Sequence, residues 1–136
     1  MTTMSNPAFV EAARSYLGVK WVHQGRSEKG MDCVGLVVLA ARQCGIPAPL
    51  DATYGRMQYY MQARHYLEQF CERVGVPLVG DIILFKTKSN LHLAIVSQVD
   101  NDKPTRVIQA LGYGSKVVDT GLSFIPMQLW RIRWPS

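Results

Sequence analysis

Cys33, His92 and Gln109 each interrupt an otherwise apolar stretch of this sequence. Together their types suit nucleophilic catalysis: a thiol attacks, an imidazole takes its proton, and a third group orients the imidazole. Cys33 follows Gly30-Met31-Asp32 and opens the run Val34-Gly35-Leu36-Val37-Val38-Leu39-Ala40-Ala41. Asp is a preferred N-cap, because its carboxylate accepts from unpaired N–H groups at a helix start. With Asp32 as cap, Cys33 falls in the first turn, where the helix dipole and those N–H groups favour a thiolate. Taken alone, the stretch equally fits a small buried hydrophobe at a helix start.

The base must come from His23, His65 or His92. His65 lies between Arg64 and Tyr66 in a predicted helix, where a solvated or half-buried imidazole is the ordinary outcome. His23 stands in a polar loop before Cys33 and can approach the site, but a loop residue with a local hydrogen bond is the more ordinary outcome. His92 sits in Leu91-His92-Leu93-Ala94-Ile95-Val96, an otherwise apolar strand. A lone histidine there is more often a satisfied core residue, and the following strand alters that balance. Asp100-Asn101-Asp102 marks a turn, with His92 and Gln109 about equally far from its centre. Facing positions of an antiparallel pair have a constant index sum, so Gln109 is predicted beside His92 on one face, subject to a bulge near Pro104. Its amide can accept from one ring N–H and leave the other ring nitrogen as base.

The elements that position these residues are legible from periodicity and punctuation. Asn6-Pro7 followed by Phe9, Val10, Ala12, Ala13, Tyr16 and Leu17 predicts a first helix ending at Gly18. Gly18 to Gly30 reads as a loop. The helix from Cys33 runs to about Cys44 and stops at Gly45. Leu50 to Gly55 reads as loop, and Arg56 to about Glu72 as a third helix. Strands are predicted at 81–85, 91–99, 106–111, 116–119 and 128–134. Helices first and sequential strands later indicate a single α+β domain over residues 1–136, with a mainly antiparallel sheet.

Composition agrees with one globular domain: 136 residues, 48% hydrophobic and 18% charged. The N-terminus shows no signal peptide, and no apolar run nears the roughly 18 residues of a membrane span. Cys33, Cys44 and Cys71 are odd in number and lack CxxC spacing, which argues against a disulfide framework or a cysteine-rich zinc site. Synthesis in a reducing bacterial cytoplasm is expected. The net charge of +5 suits approach to an anionic polymer, but the charges are scattered. No nucleic-acid-binding motif accompanies them.

With these residues in place, the sequence resembles the NlpC family of papain-like cysteine peptidases from Tyr16 onward. The matching segments are Gly18-Val19-Lys20-Trp21, Asp32-Cys33-Val34-Gly35-Leu36-Val37, Val79-Gly80-Asp81-Ile82-Ile83-Leu84-Phe85, His92-Leu93-Ala94-Ile95 and Ile108-Gln109-Ala110. The resemblance implies a papain-like fold, with N-terminal helices on a mainly antiparallel sheet of about five strands. It implies cleavage of peptidoglycan stem peptides, with Cys33 as nucleophile, His92 as base and then acid, and Gln109 as orienter. The Cys33 backbone N–H would help hold the oxyanion. No metal or organic cofactor is implied. Trp21, Asp32 and Val34 fall at positions bordering the substrate. Trp21 stands where the family usually has Tyr, and Val34 where Ser is usual; both bear on specificity. The Trp21-Val22-His23-Gln24-Gly25 loop, the Arg133-Trp134-Pro135 ending and the lack of a wall-binding module look most like the phage-tail and gene-transfer-agent branch. On that reading the protein is a virion-tail component that meets peptidoglycan and tail-tip proteins.

Two further readings compete: a structural tail-tip module that keeps the fold without activity, and an amidase or acyltransferase using the same trio.

Overall fold

A computed structural model describes residues 4–50, 56–86, 91–122 and 128–135. Helix α1 (Asn6–Arg14) is capped by Ser5, whose Oγ accepts from the Ala8 N–H at 3.2 Å, and Pro7 occupies the first turn, where no N–H is required. The helix ends before the expected Leu17. Tight turns from Ala13 and Arg14 carry the chain on to Gly18 at φ +90. The predicted loop that follows contains a small hairpin of β1 (Arg26–Ser27) and β2 (Gly30–Met31). Helix α2 (Cys33–Gln43) starts and stops where expected, and most of its side chains are buried.

Helix α3 (Arg56–Phe70) is shorter than predicted, because Cys71–Val74 forms strand β3 instead of its last turn. That strand pairs antiparallel with β8 (Gln128–Ile132), Cys71 opposite Ile132 and Val74 opposite Leu129. The Arg73 guanidinium lies 5.7 Å from the Trp130 ring centroid. Partners some 58 positions away along the chain supply these contacts, so local periodicity could not register them. The predicted loop at 51–55 lies outside the described residues.

The remaining strands are β4 (Ile82–Lys86), β5 (Leu91–Asp100), β6 (Lys103–Ala110) and β7 (Val117–Gly121). They complete a sheet of six strands in the order β3-β8-β4-β5-β6-β7, antiparallel at every pairing. Its pleat sorts side chains onto two faces. Leu93, Ile95, Ile108 and Ala110 join the helices in the main core, whereas Ile83, Phe85, Ala94, Val96 and Val107 form a second apolar cluster. Helix α2 packs against α1 and across β5 and β6.

One polar cluster pins the start of β4. Asp81 is fully buried and takes paired hydrogen bonds from Arg131, Nε and Nη2 each at 2.8 Å. The Asn6 amide and the Leu78 N–H fill its remaining acceptor sites at 2.9 and 2.7 Å. Trp134 closes the cluster by donating to Asn6 Oδ1 at 2.8 Å. Gly80, at φ +92, lies so close to Asn6 that a Cβ would meet its carbonyl oxygen at 2.6 Å. Helix α1, β4 and the C-terminal segment are thereby tied together.

Candidate active site

Asp32 caps α2 as expected and has further partners. Its Oδ1 accepts from the Gly35 N–H at 2.8 Å and from Arg26 Nη1 at 2.9 Å, and its Oδ2 from the Gln24 N–H at 2.9 Å. One buried carboxylate therefore both starts the helix and holds the preceding loop against it. The fit is close: a Cβ on Gly35 would lie 2.2 Å from the Gly25 carbonyl oxygen. Gln24 adopts φ +61 in this loop, a left-handed conformation uncommon outside glycine. Cys33, immediately after the cap, is 3% exposed and occupies the first turn of α2.

His92 and Gln109 come from adjacent strands. The turn between them is two residues, Asn101 and Asp102, at φ +51 and +60, as a tight hairpin matched to strand twist requires. The register pairs Ile95 with Ile108, with irregularities between Val96 and Val99. Gln109 thus stands opposite Ala94 and diagonal to His92, two residues along from the expected pairing. Because side chains alternate with a period of two, that shift preserves the face. The side chains meet, with His92 Nε2 2.9 Å from Gln109 Oε1. A carbonyl oxygen only accepts, so Nε2 carries the proton and the unprotonated Nδ1 is available as base.

The surroundings fix the imidazole further. It stacks on Phe85, centroids 5.9 Å apart and planes at 20°. Burial lowers the His92 pKa from the ordinary 6.5, with the Gln109 bond acting in the opposite direction, so the ring is neutral near pH 7. At its far end the Gln109 amide donates from Nε2 to Thr120 Oγ1 at 2.8 Å. Thr120 was not singled out from the sequence. The predicted strand stopped at Asp119, whereas β7 continues to Gly121 and places Thr120 opposite Val107, on the face that Gln109 shares.

Val34 is 1% exposed and lines an apolar cavity with Val37, Val38, Tyr66, Leu67 and Cys71. Trp21 is half-buried in the loop before α2, stacked on the exposed His23 with ring centroids 6.3 Å apart. His65 is exposed on α3. Cys44 and Cys71 are buried, and burial raises both thiol pKa values, that of Cys71 to about 12.

The NlpC/P60 family pattern matches residues 18–119, three-quarters of the chain. The chain belongs to the NlpC/P60 family. Solved NlpC/P60 structures share its fold. The NlpC/P60 domain of the peptidoglycan hydrolase SagA aligns with a TM-score of 0.65 at 20% identity, covering 94% of this chain and 99% of that one. An NLP/P60-family protein similar to a lipoprotein, from Staphylococcus aureus, aligns at 0.65 and 21% identity, covering 93% of this chain and 41% of that one. A hypothetical invasion protein of Mycobacterium tuberculosis aligns at 0.63 and 18% identity, covering 93% and 61%. This chain therefore spans less than two thirds of the staphylococcal and mycobacterial proteins. No curated protein matches it. Among the described residues, no helix is long and apolar enough to cross a membrane.

Within this NlpC/P60 domain, the two departures from the usual motif lie in different settings. The Val34 side chain is in the core, whereas Trp21 is half-exposed in the loop tied to the start of α2.

Proposed function

We propose that this NlpC/P60 protein is a cysteine peptidase that hydrolyses peptidoglycan stem peptides, with Cys33, His92 and Gln109 as its catalytic trio. The observation that carries the reading is the buried 2.9 Å bond between His92 Nε2 and Gln109 Oε1. Alternation sets both on the sheet face of Ala94 and Val107, while the helix that Cys33 opens packs on the opposite face of the same strands, with Leu93 and Ile108. His92 Nδ1 takes the Cys33 thiol proton as sulfur attacks the scissile carbonyl. Gln109 Oε1 stabilises the imidazolium that forms. The first turn of α2 presents its positive end to the oxyanion. His92 then gives the proton to the departing amine, and water, deprotonated by His92, releases the acyl group from sulfur. Trp21, half-buried in the loop that precedes α2, is assigned to contact the peptide. The resemblance of the Trp21-to-Gly25 loop to the phage-tail branch is what supports delivery on a phage-like tail.

Digestion of purified sacculi, with fragments weighed by mass spectrometry, tests activity and bond together. Cys33→Ala is expected to lower release of new amino groups by about 10³-fold or more. Undiminished release by that variant overturns the nucleophile assignment.

A further inference from the structure

The hydrogen-bonded chain does not stop at Gln109. It runs from His92 on β5 through Gln109 on β6 to Thr120 on β7, with bonds of 2.9 and 2.8 Å. Thr120 lies one residue past the end of the family match. We propose that Thr120 is a positioning residue: it supplies the acceptor that the Gln109 amide N–H needs when Oε1 faces His92, and so sustains the arrangement in which Nε2 carries the ring proton. The inference rests on the reading of His92 as the base.

An amide side chain can present either its oxygen or its nitrogen to a neighbour, since its terminal torsion is broad and roughly two-fold. The two ends have opposite consequences here. With Oε1 toward the ring, His92 is protonated at Nε2 and Nδ1 keeps its lone pair. With the amide reversed, its N–H donates to His92 Nε2, the ring proton moves to Nδ1, and the base is lost. Gln109 is 3% exposed, so water is a poor substitute for either partner. Thr120 Oγ1 accepts the amide N–H in the productive orientation and its own O–H can donate to Oε1 in the reversed one, so with Thr120 present neither leaves that end of the amide unpaired. Without that hydroxyl, the productive orientation strands a buried N–H, whereas the reversed one leaves only a carbonyl oxygen short of a donor. Stranded N–H groups are the rarer and less tolerated of the two. Loss of the hydroxyl therefore favours the unproductive tautomer. Thr120 is only half-buried on an edge strand, which tolerates an isosteric change.

The test reads the tautomer directly. In ¹⁵N-histidine-labelled protein, the ring-nitrogen shifts of wild type are expected to report His92 protonated at Nε2. Thr120→Val is expected to move them toward Nδ1 protonation and to slow iodoacetamide alkylation of Cys33 about tenfold, the effect of one neutral hydrogen bond. Alkylation is followed on the Cys33 peptide by mass spectrometry. Thr120→Ser is expected to restore both readings. In a Gln109→Glu background, Thr120→Val is expected to leave the tautomer unchanged, because both carboxylate oxygens accept. Thr120→Ala replaces Thr120→Val if the latter does not fold. Wild-type ring shifts in Thr120→Val or Thr120→Ala overturn the proposal. Wild-type alkylation in His92→Ala overturns instead the Cys33–His92 pairing, and the ring shifts still decide the role of Thr120.

Discussion

The Asp81 cluster and the His92–Gln109–Thr120 chain are both polar groups set among buried apolar side chains, and they are built differently. Asp81 carries a charge and receives four donors, among them the paired contacts of Arg131, so its acceptor sites are filled. The His92 chain is uncharged and is linked through single hydrogen bonds. Of the two ring nitrogens, Nε2 is engaged by Gln109. A closed, charge-compensated cluster can do little but hold elements together. A neutral chain that fixes one ring nitrogen and leaves the other for proton transfer can do chemistry. The contrast separates a closed structural cluster from a chain with a free ring nitrogen, the feature on which the proposed catalytic role rests.

Asp81→Asn should have the largest effect on the folded state. It removes the buried carboxylate that Arg131, 25% exposed, pairs with, leaving only the more distant charge of Glu72, and a loss of about 3 kcal/mol is expected in denaturant unfolding. The fraction that folds should cleave peptidoglycan at the wild-type rate, because Asp81 touches no part of the trio. A rate that falls as far as stability would erase the distinction between the two regions. Gln109→Ala should show the reverse pattern: turnover on sacculi reduced about 10- to 100-fold and only a small change in melting temperature. Wild-type turnover in that variant removes Gln109 from the site.

The smallest effect concerns pH. The folded state holds the His92 pKa below its unfolded 6.5, so the unfolded chain binds the extra proton first as pH falls. Stability is unaffected by this group well above pH 6.5 and declines as pH drops through and below that value. From about pH 7.5 to about pH 5.5, the melting temperature of wild type should therefore fall further than that of His92→Gln. Equal slopes would show that burial does not disfavour the imidazolium.

Much of the candidate site's geometry was legible in the sequence because its signals are local. Asp32 before Cys33 announces a capped helix, and a histidine inside an apolar strand declares itself against its neighbours. The Gln109 position came through despite an error in register, since a shift of two residues returns a side chain to the same face. The strand at Cys71–Val74 was hidden for the opposite reason. Its residues follow a helix without a break, and only the distant β8 makes an extended conformation favourable.

The sequence by itself determined the α+β class, the starts of α1 and α2, and the residue types able to supply a nucleophile, a base and an orienting amide. These follow from capping, alternation and side-chain chemistry, which act over a few neighbouring positions. Tertiary structure alone decided the hairpin register, the use of Asp32 to anchor its loop, and the extension of the chain to Thr120. Each of these depends on groups that meet only after the strands pair, when burial makes every hydrogen-bond partner count.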